Sequence, residues 1–277
     1  MSPAERSIHA QFTASIPENY DRYLGPVIFD PYARDLAGRL PNEAERILET
    51  ACGTGIVTKR LLEAVPAGSS IVATDLNAAM LEHAHASIGE DRRLTWQVAD
   101  MGALTYPDGS FGAYVCQFGL MFVPDKDAAL REARRVLASG GSLLLSVWDR
   151  IDRNSFAAIA HEVISEFFPS DPPTFYQIPF SLHDRAAMRG MLEAAGFVDV
   201  RDKVLRFEST AASAEGFARG LVEGNPVSLE IQNRGGSLEE VGQALAERLR
   251  ARLGDHPVSV PIQAIVFEAT AGPARPS

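Results

Sequence analysis

The chain has 277 residues and a net charge of −10, from 36 acidic and 26 basic side chains. This acidic balance, without a basic stripe, argues against nucleic acid as the main partner. A hydrophobic content of 46% and a charged content of 22% are those of a globular protein, and no run of about 18 apolar residues predicts a membrane span. The two cysteines, Cys52 and Cys116, are too few for a disulfide framework, so we expect free thiols and a cytoplasmic protein.

Residues 1–43 are predicted to form a helical cap ahead of the first strand. Apolar side chains recur there at helical spacing, beginning with Ile8 and Phe12, and Pro26 suits a helix start better than a helix interior. Tyr20 lies in this cap. It either packs within the cap or helps to cover a ligand, and the sequence alone leaves both alternatives open.

The segment 46–61 predicts a short buried strand, a glycine turn and the first turn of a helix. Gly53 and Gly55 lack Cβ, so the backbone can take an unusual φ and a ligand can approach it closely. The helix that follows offers free N–H groups and a partial positive charge to an anion. Glu49, at the end of the strand, adds an acid, so the site suits a ligand that carries both charges, such as an amino acid.

Two further predicted strands also end in acids, Asp75 and Asp100. Asp75 follows Gly55 by 20 residues, a spacing that suits a carboxylate accepting hydrogen bonds from the hydroxyls of a ribose. Taken alone, this spacing fits NAD and S-adenosylmethionine equally well. Because parallel strands end at one edge of a sheet, we expect Glu49 and the two aspartates to line the same edge.

The remaining elements follow from apolar runs and turn signals. Residues 107–110 are a strong turn signal, and Gly140 with Gly141 is expected to end a helix. The predicted strands are 112–117, 142–148, 198–207 and 258–270. The predicted helices are 124–137, 154–168, 181 or 184 to 195, 213–223 and 237–253, with a loop over the site at 169–181.

Together these motifs resemble a known enzyme family. Glu49, Gly53 and Gly55 satisfy the first motif of class I S-adenosylmethionine-dependent methyltransferases, Glu/Asp-x-x-x-Gly-x-Gly, although Ala51 stands where the commonest form has glycine. A dinucleotide fingerprint would need a third glycine, where this chain has Thr58. The resemblance spans about residues 46–149. In detail, this part of the chain is similar to the small-molecule methyltransferases near the ubiquinone and menaquinone biosynthesis enzymes.

The resemblance implies S-adenosylmethionine as cofactor and S-adenosylhomocysteine as its product. Glu49 would then bind the amino group and Asp75 the ribose. Asp100 with Met101 would bind the adenine, and the two glycines of the turn would allow close approach to the methionyl part. The full set of candidate cofactor-binding residues is Tyr20, Glu49, Ala51, Gly53, Gly55, Asp75, Leu76, Met80, Asp100, Met101 and Gln117.

The predicted fold is an α/β doubly wound, mostly parallel seven-stranded sheet of the Rossmann-like methyltransferase type. Its last strand is antiparallel, a helical cap precedes it, and a helical insertion comes before the last strand. The predicted units are the cap 1–43, the cofactor-binding core 44–150, the rest of the sheet with acceptor-covering helices 151–271, and a disordered tail 272–277.

The predicted function is methyl transfer to a small, largely apolar acceptor, through oxygen or carbon rather than nitrogen. We expect the acceptor pocket to come from residues 8–32, 118–122, 150–183 and 217–232. The sequence indicates no catalytic base and no metal-ligand cluster, and a homodimer is compatible with it. The alternatives are a nicotinamide-dependent oxidoreductase, which the missing third glycine and the antiparallel ending disfavour, and a non-catalytic module that binds S-adenosylmethionine.

Overall fold

A seven-stranded sheet with strand order β3-β2-β1-β4-β5-β7-β6 forms the centre of the fold. The computed structural model describes residues 16–273, so the predictions for Ile8 and Phe12 lie outside the described residues. The strands are β1 (Arg46–Thr50), β2 (Ser70–Asp75), β3 (Leu94–Val98), β4 (Phe111–Gln117), β5 (Leu137–Trp148), β6 (Phe197–Ala211) and β7 (Val258–Ala271). The first five pair in parallel, and β7 pairs antiparallel with both β5 and β6. The predicted mostly parallel sheet with an antiparallel last strand is confirmed.

Helices cover both faces of this sheet. Before β1 the chain runs through α1 (Ile16–Asn19), a π-helix at Tyr20–Phe29 and α2 (Asp30–Ala37). The others are α3 (Ile56–Ala64), α4 (Ala78–Ile88), α5 (Lys126–Val136), α6 (Ser155–Phe167), α7 (Arg185–Ala194), α8 (Ala214–Glu223), α9 (Val227–Asn233) and α10 (Leu238–Leu253). None of the helices in residues 16–273 combines the length and the apolar character that a bilayer crossing requires.

Side-chain caps fix where several helices begin. The oxygens of five residues accept hydrogen bonds from the first N–H groups of the helices that follow them, which satisfies donors that would otherwise be unpaired. These residues are Asn77, Asp125, Asp184, Ser213 and Ser237. Asp184 rather than Ser181 therefore begins α7.

Two predicted strand boundaries need correction, and one helix was missed. β5 begins at Leu137 rather than at residue 142, because Leu137 pairs with Phe111 and an irregularity that includes Gly140, at φ +81°, precedes the regular ladder. β6 extends to Ala211 because it pairs with β7 as far as Val258. The helix α9 was not predicted at all.

The start of the predicted disordered tail is ordered. The Gly272 N–H donates to the Gly196 carbonyl at 3.1 Å, and the Gly272 carbonyl accepts a hydrogen bond from Arg134. Residues 274–277 lie outside the described part of the chain. Cys52 and Cys116 are buried free thiols, as expected.

The π-helix packs closely against α8, and this contact places the cap. A Cβ at Gly220 of α8 would lie only 2.7 Å from Tyr23 Cβ. Glycine at this position therefore lets the two helices approach each other. A second anchor is the ion pair between Arg60 of α3 and Asp30, with 2.6 Å between Nε and Oδ1. The cap is thereby held over the carboxyl edge of the sheet.

Candidate active site

The carboxyl edge of the parallel strands carries a cavity of about 200 Å³. Nine of the eleven candidate cofactor-binding residues line it: Tyr20, Ala51, Gly53, Asp75, Leu76, Met80, Asp100, Met101 and Gln117. Six further residues line the cavity but were not among the candidates from the sequence: Ala99, Phe118, Gly119, Phe122, Val123 and Pro124. Glu49 lies in a smaller adjoining cavity that Tyr20, Gly53 and Gln117 also line.

Glu49 is buried and lacks a hydrogen-bond partner. Its exposed fraction is 1%, and neither carboxylate oxygen has a partner among the described residues. Burial raises the pKa of Glu49 to about 8, and the nearby charge of Asp75 acts in the same direction. The nearby Thr58 lowers the pKa of Glu49, against the larger effect of burial. The two side chains are nevertheless not placed to form a hydrogen bond with each other. A buried carboxyl group of this kind fits a ligand that brings a cation, such as an ammonium group.

The two glycines of the turn have different structural roles. Gly53 has φ +56°, and a Cβ placed on it would meet no atom within 4 Å, so its side towards the cavity is open. Gly55 has φ +85°, and its Cβ would lie 2.8 Å from Ile88 Cδ1 of α4. Gly55 therefore serves the packing of the turn against α4 and is not part of the cavity wall.

Asp75 is held in place by main-chain donors. Its Oδ2 accepts a hydrogen bond from the Gly53 N–H at 2.9 Å, and its Oδ1 accepts one from the Asn77 N–H at 2.8 Å. Burial raises its pKa against the effect of these hydrogen bonds. Each oxygen keeps a further lone pair, so this carboxylate at the cavity wall suits a ligand that presents two hydroxyl groups.

The far end of the cavity suits a flat apolar group. Leu76 is 49% exposed although its neighbours Met80 and Met101 are buried. Asp100 is exposed, and its Oδ1 accepts a hydrogen bond from the Gly102 N–H at 2.8 Å. A ring placed between these apolar side chains would have a carboxylate at its edge.

A second cavity, of about 60 Å³, adjoins the first and is walled by aromatic rings. Its lining residues are Tyr20, Ile28, Phe29, Phe118, Phe122, Trp148, Phe156, Phe175, Tyr176, Pro179, Phe180, Leu221 and Asn225. Three of them also line the larger cavity, so the two spaces meet at Tyr20, Phe118 and Phe122. Among residues 16–273, no charged side chain lines this cavity.

The predicted acceptor ranges include every residue of this second cavity except Trp148. The Trp148 ring stacks on Phe118, with centroids 4.0 Å apart and planes 4° from parallel. The prediction began at residue 150 and so passed over it. Trp148 ends β5, and the strand-end argument applied to Glu49 would have found it.

Contacts from the cap close the site over the glycine turn. The Thr54 hydroxyl donates to Asp21 Oδ1 at 3.2 Å, and His83 Nε2 lies 3.5 Å from Asp21 Oδ2. Gln117 Nε2 donates to the Phe29 carbonyl at 3.2 Å. Because His83 and Asp21 are far apart in the sequence, no local sequence signal predicts this contact between α4 and the cap.

Away from this site, one group of side chains within residues 16–273 has metal-ligand character. Atoms of Glu215, Asp255 and His256 lie within 4.8 Å of one another. The Arg250 guanidinium forms ion pairs with both acids. Its positive charge compensates the acids, so this surface cluster gives no reason to assign a metal.

Comparison with known proteins agrees with this geometry. A family model described as a methyltransferase domain matches residues 47–141. The chain is 31% identical over 172 residues to the ubiquinone/menaquinone biosynthesis C-methyltransferase UbiE of Geobacter sp. (strain M21), an alignment that covers 58% of this chain and 73% of that protein.

Two solved structures share the fold. Phosphoethanolamine N-methyltransferase 2 of Haemonchus contortus, in complex with S-adenosyl-L-methionine, is 15% identical with a TM-score of 0.61, covering 99% of this chain and 60% of that one. The [4+2]-cyclase SpnF is 19% identical with a TM-score of 0.54, covering 89% and 82%. Similarity at these identities concerns the fold alone, and SpnF illustrates that the fold does not determine the reaction.

Proposed function

The chain belongs to the class I S-adenosylmethionine-dependent methyltransferases, near the ubiquinone and menaquinone enzymes, and we propose that it methylates a small, largely apolar acceptor at carbon or oxygen. One observation carries this proposal. The uncharged aromatic cavity opens directly onto the larger cavity at Tyr20, Phe118 and Phe122. A methyl group delivered at this junction would meet a nucleophile held among aromatic rings.

In this proposal the cofactor half of the site binds through fixed polar groups. The cofactor half is the lining of the 200 Å³ cavity together with Glu49. Glu49 would take the ammonium group, Asp75 the ribose hydroxyls, and Leu76 with Met101 the faces of the adenine. Gly53 would leave room for the methionyl chain. When bound, S-adenosylmethionine supplies a methyl group on a sulfonium cation, so the protein has mainly to orient the acceptor and exclude water.

The described residues that line the aromatic cavity offer no general base. Burial raises the pKa of both Tyr20 and Tyr176, so these hydroxyls keep their protons at neutral pH. The nucleophilicity therefore has to come from the electron richness of the acceptor itself, as in an activated ring carbon or the oxygen of a phenol. Methylation of an amine would leave a cation, and the lining contains no acid to balance it. This contrast favours oxygen or carbon over nitrogen.

The test starts with the cofactor. S-adenosylhomocysteine and NAD are titrated in parallel into the purified chain by calorimetry, and we expect binding of the first alone. Binding of NAD alone would revive the oxidoreductase alternative. A panel of small phenols and other aromatic compounds is then incubated with S-adenosylmethionine that carries a labelled methyl group. A labelled product of carbon or oxygen methylation is expected, whereas cofactor binding without any product would favour the non-catalytic module.

Some properties stay predictions from composition. These are the cytoplasmic location and the lack of a nucleic-acid partner, whereas a homodimer is only compatible with the sequence. Size-exclusion chromatography with light scattering would decide the last of these.

A further inference from the structure

Within the aromatic cavity, one side chain can recognise a specific polar group on the acceptor. We refer to the lining of the 60 Å³ cavity as the acceptor half of the site. Ten of its thirteen members are aromatic side chains or proline, and the polar atoms of its side chains belong to Tyr20, Trp148, Tyr176 and Asn225. Tyr20 stands at the junction with the cofactor half. Tyr176 and Asn225 belong to the acceptor half alone.

Main-chain carbonyls fix the direction of the Asn225 amide. Asn225 Nδ2 donates to the Leu221 carbonyl at 3.2 Å and, at 3.5 Å, to the Gly220 carbonyl in the last turn of α8. Both neighbours are acceptors, so the amide has to present its NH₂ group to them. The Oδ1 atom is thereby directed away from these two carbonyls, and it accepts no hydrogen bond from residues 16–273. The amide also lies close enough to the Tyr176 hydroxyl to lower the pKa of Tyr176, against the larger effect of burial.

The Tyr176 hydroxyl has its proton engaged in the same place. It donates to the Leu221 carbonyl at 2.8 Å. The protons of Tyr176 and of the Asn225 amide are therefore both taken by the end of α8. From these two side chains, what remains for a molecule in the cavity is acceptor atoms, chiefly Asn225 Oδ1.

The volume limits what can enter. One water molecule needs about 10–15 Å³ of cavity volume, so the 60 Å³ cavity has room for about five water molecules. This is close to the size of one ring, and the lack of charge in the lining excludes a stable place for an ionic substituent.

We propose that Asn225 sets acceptor specificity by accepting a hydrogen bond from a hydroxyl or amino group on a neutral, single-ring acceptor. A ring that carries a carbonyl or a methyl group at the same place would leave Asn225 Oδ1 without a partner. Leaving such an acceptor atom unpaired lowers affinity by about fivefold or more. This inference rests on the proposed function, because it assigns the second cavity to the methyl acceptor.

Phenol and toluene form the probe pair, since one carries a hydroxyl where the other carries a methyl group. Their affinities for the full chain are measured by ligand-observed NMR at saturating S-adenosylhomocysteine. Hydrophobicity alone favours toluene. We expect phenol to bind at least about fivefold more tightly and to shift the side-chain amide resonance of Asn225, which toluene leaves in place. Equal or tighter binding of toluene, or an unmoved resonance, would overturn the inference without any variant.

Asn225→Leu removes the acceptor atom while keeping the volume, and it should reverse the order so that toluene binds more tightly. Gln232→Leu, the same kind of change at an exposed residue of α9, should keep the wild-type order. A retained phenol preference in Asn225→Leu would refute the role of Asn225. The affinity for S-adenosylhomocysteine is measured in every sample, because it separates a failure of the proposed function from a failure of this inference. If the wild-type chain does not bind S-adenosylhomocysteine, the proposed function is refuted. If it binds S-adenosylhomocysteine but does not prefer phenol, this inference alone is refuted.

Discussion

The cofactor half and the acceptor half share three residues but differ in their chemistry. The cofactor half presents carboxylates at fixed positions. Asp75, at the end of β2, is held by hydrogen bonds from the main chain, and Glu49, near the end of β1, is buried. The acceptor half presents rings from several distant segments, such as Phe29, Trp148 and Phe175, and a single amide. Charge and hydrogen-bond geometry define a ligand closely, whereas rings mainly select by shape and apolar area. We therefore expect the cofactor half to tolerate little change and the acceptor half to be adjustable without loss of cofactor binding.

The largest expected effect comes from Asp75→Ala. This change removes the proposed ribose carboxylate and also the acceptor of the Gly53 N–H, so affinity for S-adenosylhomocysteine should fall by about 100-fold. Calorimetry measures the effect, and the exposed Asp127→Ala of α5 is the matched control. An affinity within twofold of the wild type would show that Asp75 does not hold the ribose.

A smaller effect, with a pH signature, is expected for Glu49→Gln. Because burial raises the pKa of Glu49 to about 8 in the free protein, a cationic ligand should drive its ionisation and release a proton. Wild-type affinity for S-adenosylhomocysteine should thus rise with pH by up to about tenfold per unit and level off near pH 8. Glu49→Gln should flatten this curve and weaken binding at pH 8 by about thirtyfold.

The same residue predicts a change in stability. A carboxyl whose pKa is raised in the folded state makes that state less stable as pH rises from its ordinary value of 4.5 to about 8. Without ligand, Glu49→Gln should therefore gain free energy of unfolding over the wild type across this interval. Glu63→Gln, on an exposed part of α3, should show neither effect. A wild-type binding curve that is flat with pH would contradict the assignment of the ammonium group to Glu49.

The two halves also differ in what the sequence can predict. In the cofactor half, each carboxylate follows a short apolar strand, and the glycines stand within seven residues of Glu49, so local pattern was enough to name the residues. It did not reveal that Gly55 faces α4 or that Glu49 has no hydrogen-bond partner among the described residues, since both depend on elements outside the motif. In the acceptor half, nothing next to Asn225 marks it, because its role arises from the end of α8 and from Tyr176.

Two loops of the cofactor half touch where Gly119 meets Ala51, and a further prediction tests this contact. A Cβ on Gly119 would overlap Ala51 Cβ and lie 2.9 Å from Cys116 Sγ. Gly119→Ala should lower the free energy of unfolding by about 2 kcal/mol, as overpacking does. Chemical denaturation measures this, and Gly68→Ala, with no atom within 4 Å of the added Cβ, should cost much less. Combined with Ala51→Gly, Gly119→Ala should recover about 1 kcal/mol beyond additivity, and strict additivity would contradict a direct contact.

The acceptor half is tested alone by Phe180→Leu. Phe180 lines the aromatic cavity but not the larger one, and its ring centroid lies 6.0 Å from that of Trp148. Loss of the ring should weaken phenol binding by about fivefold and leave the affinity for S-adenosylhomocysteine within twofold. Phe167→Leu, at a side chain of α6 that is 40% exposed, is the control. If cofactor affinity fell in parallel with phenol affinity, the two halves would not be separable as proposed.

The smallest effect concerns the one departure from the family motif. Ala51 has φ +52°, in the left-handed region that disfavours any residue with a Cβ by about 1 kcal/mol. Glycine relieves this strain, although it loses more conformational freedom on folding. Ala51→Gly should therefore raise the free energy of unfolding by about 0.5 kcal/mol.

The same substitution at the exposed Ala186 in α7, where the backbone is helical, should lower the free energy of unfolding by about 1 kcal/mol. The opposite signs of two identical substitutions are the diagnostic result. A loss of stability at both positions would mean that the Ala51 Cβ contributes more through its contact with the Gly119 loop than its backbone conformation costs.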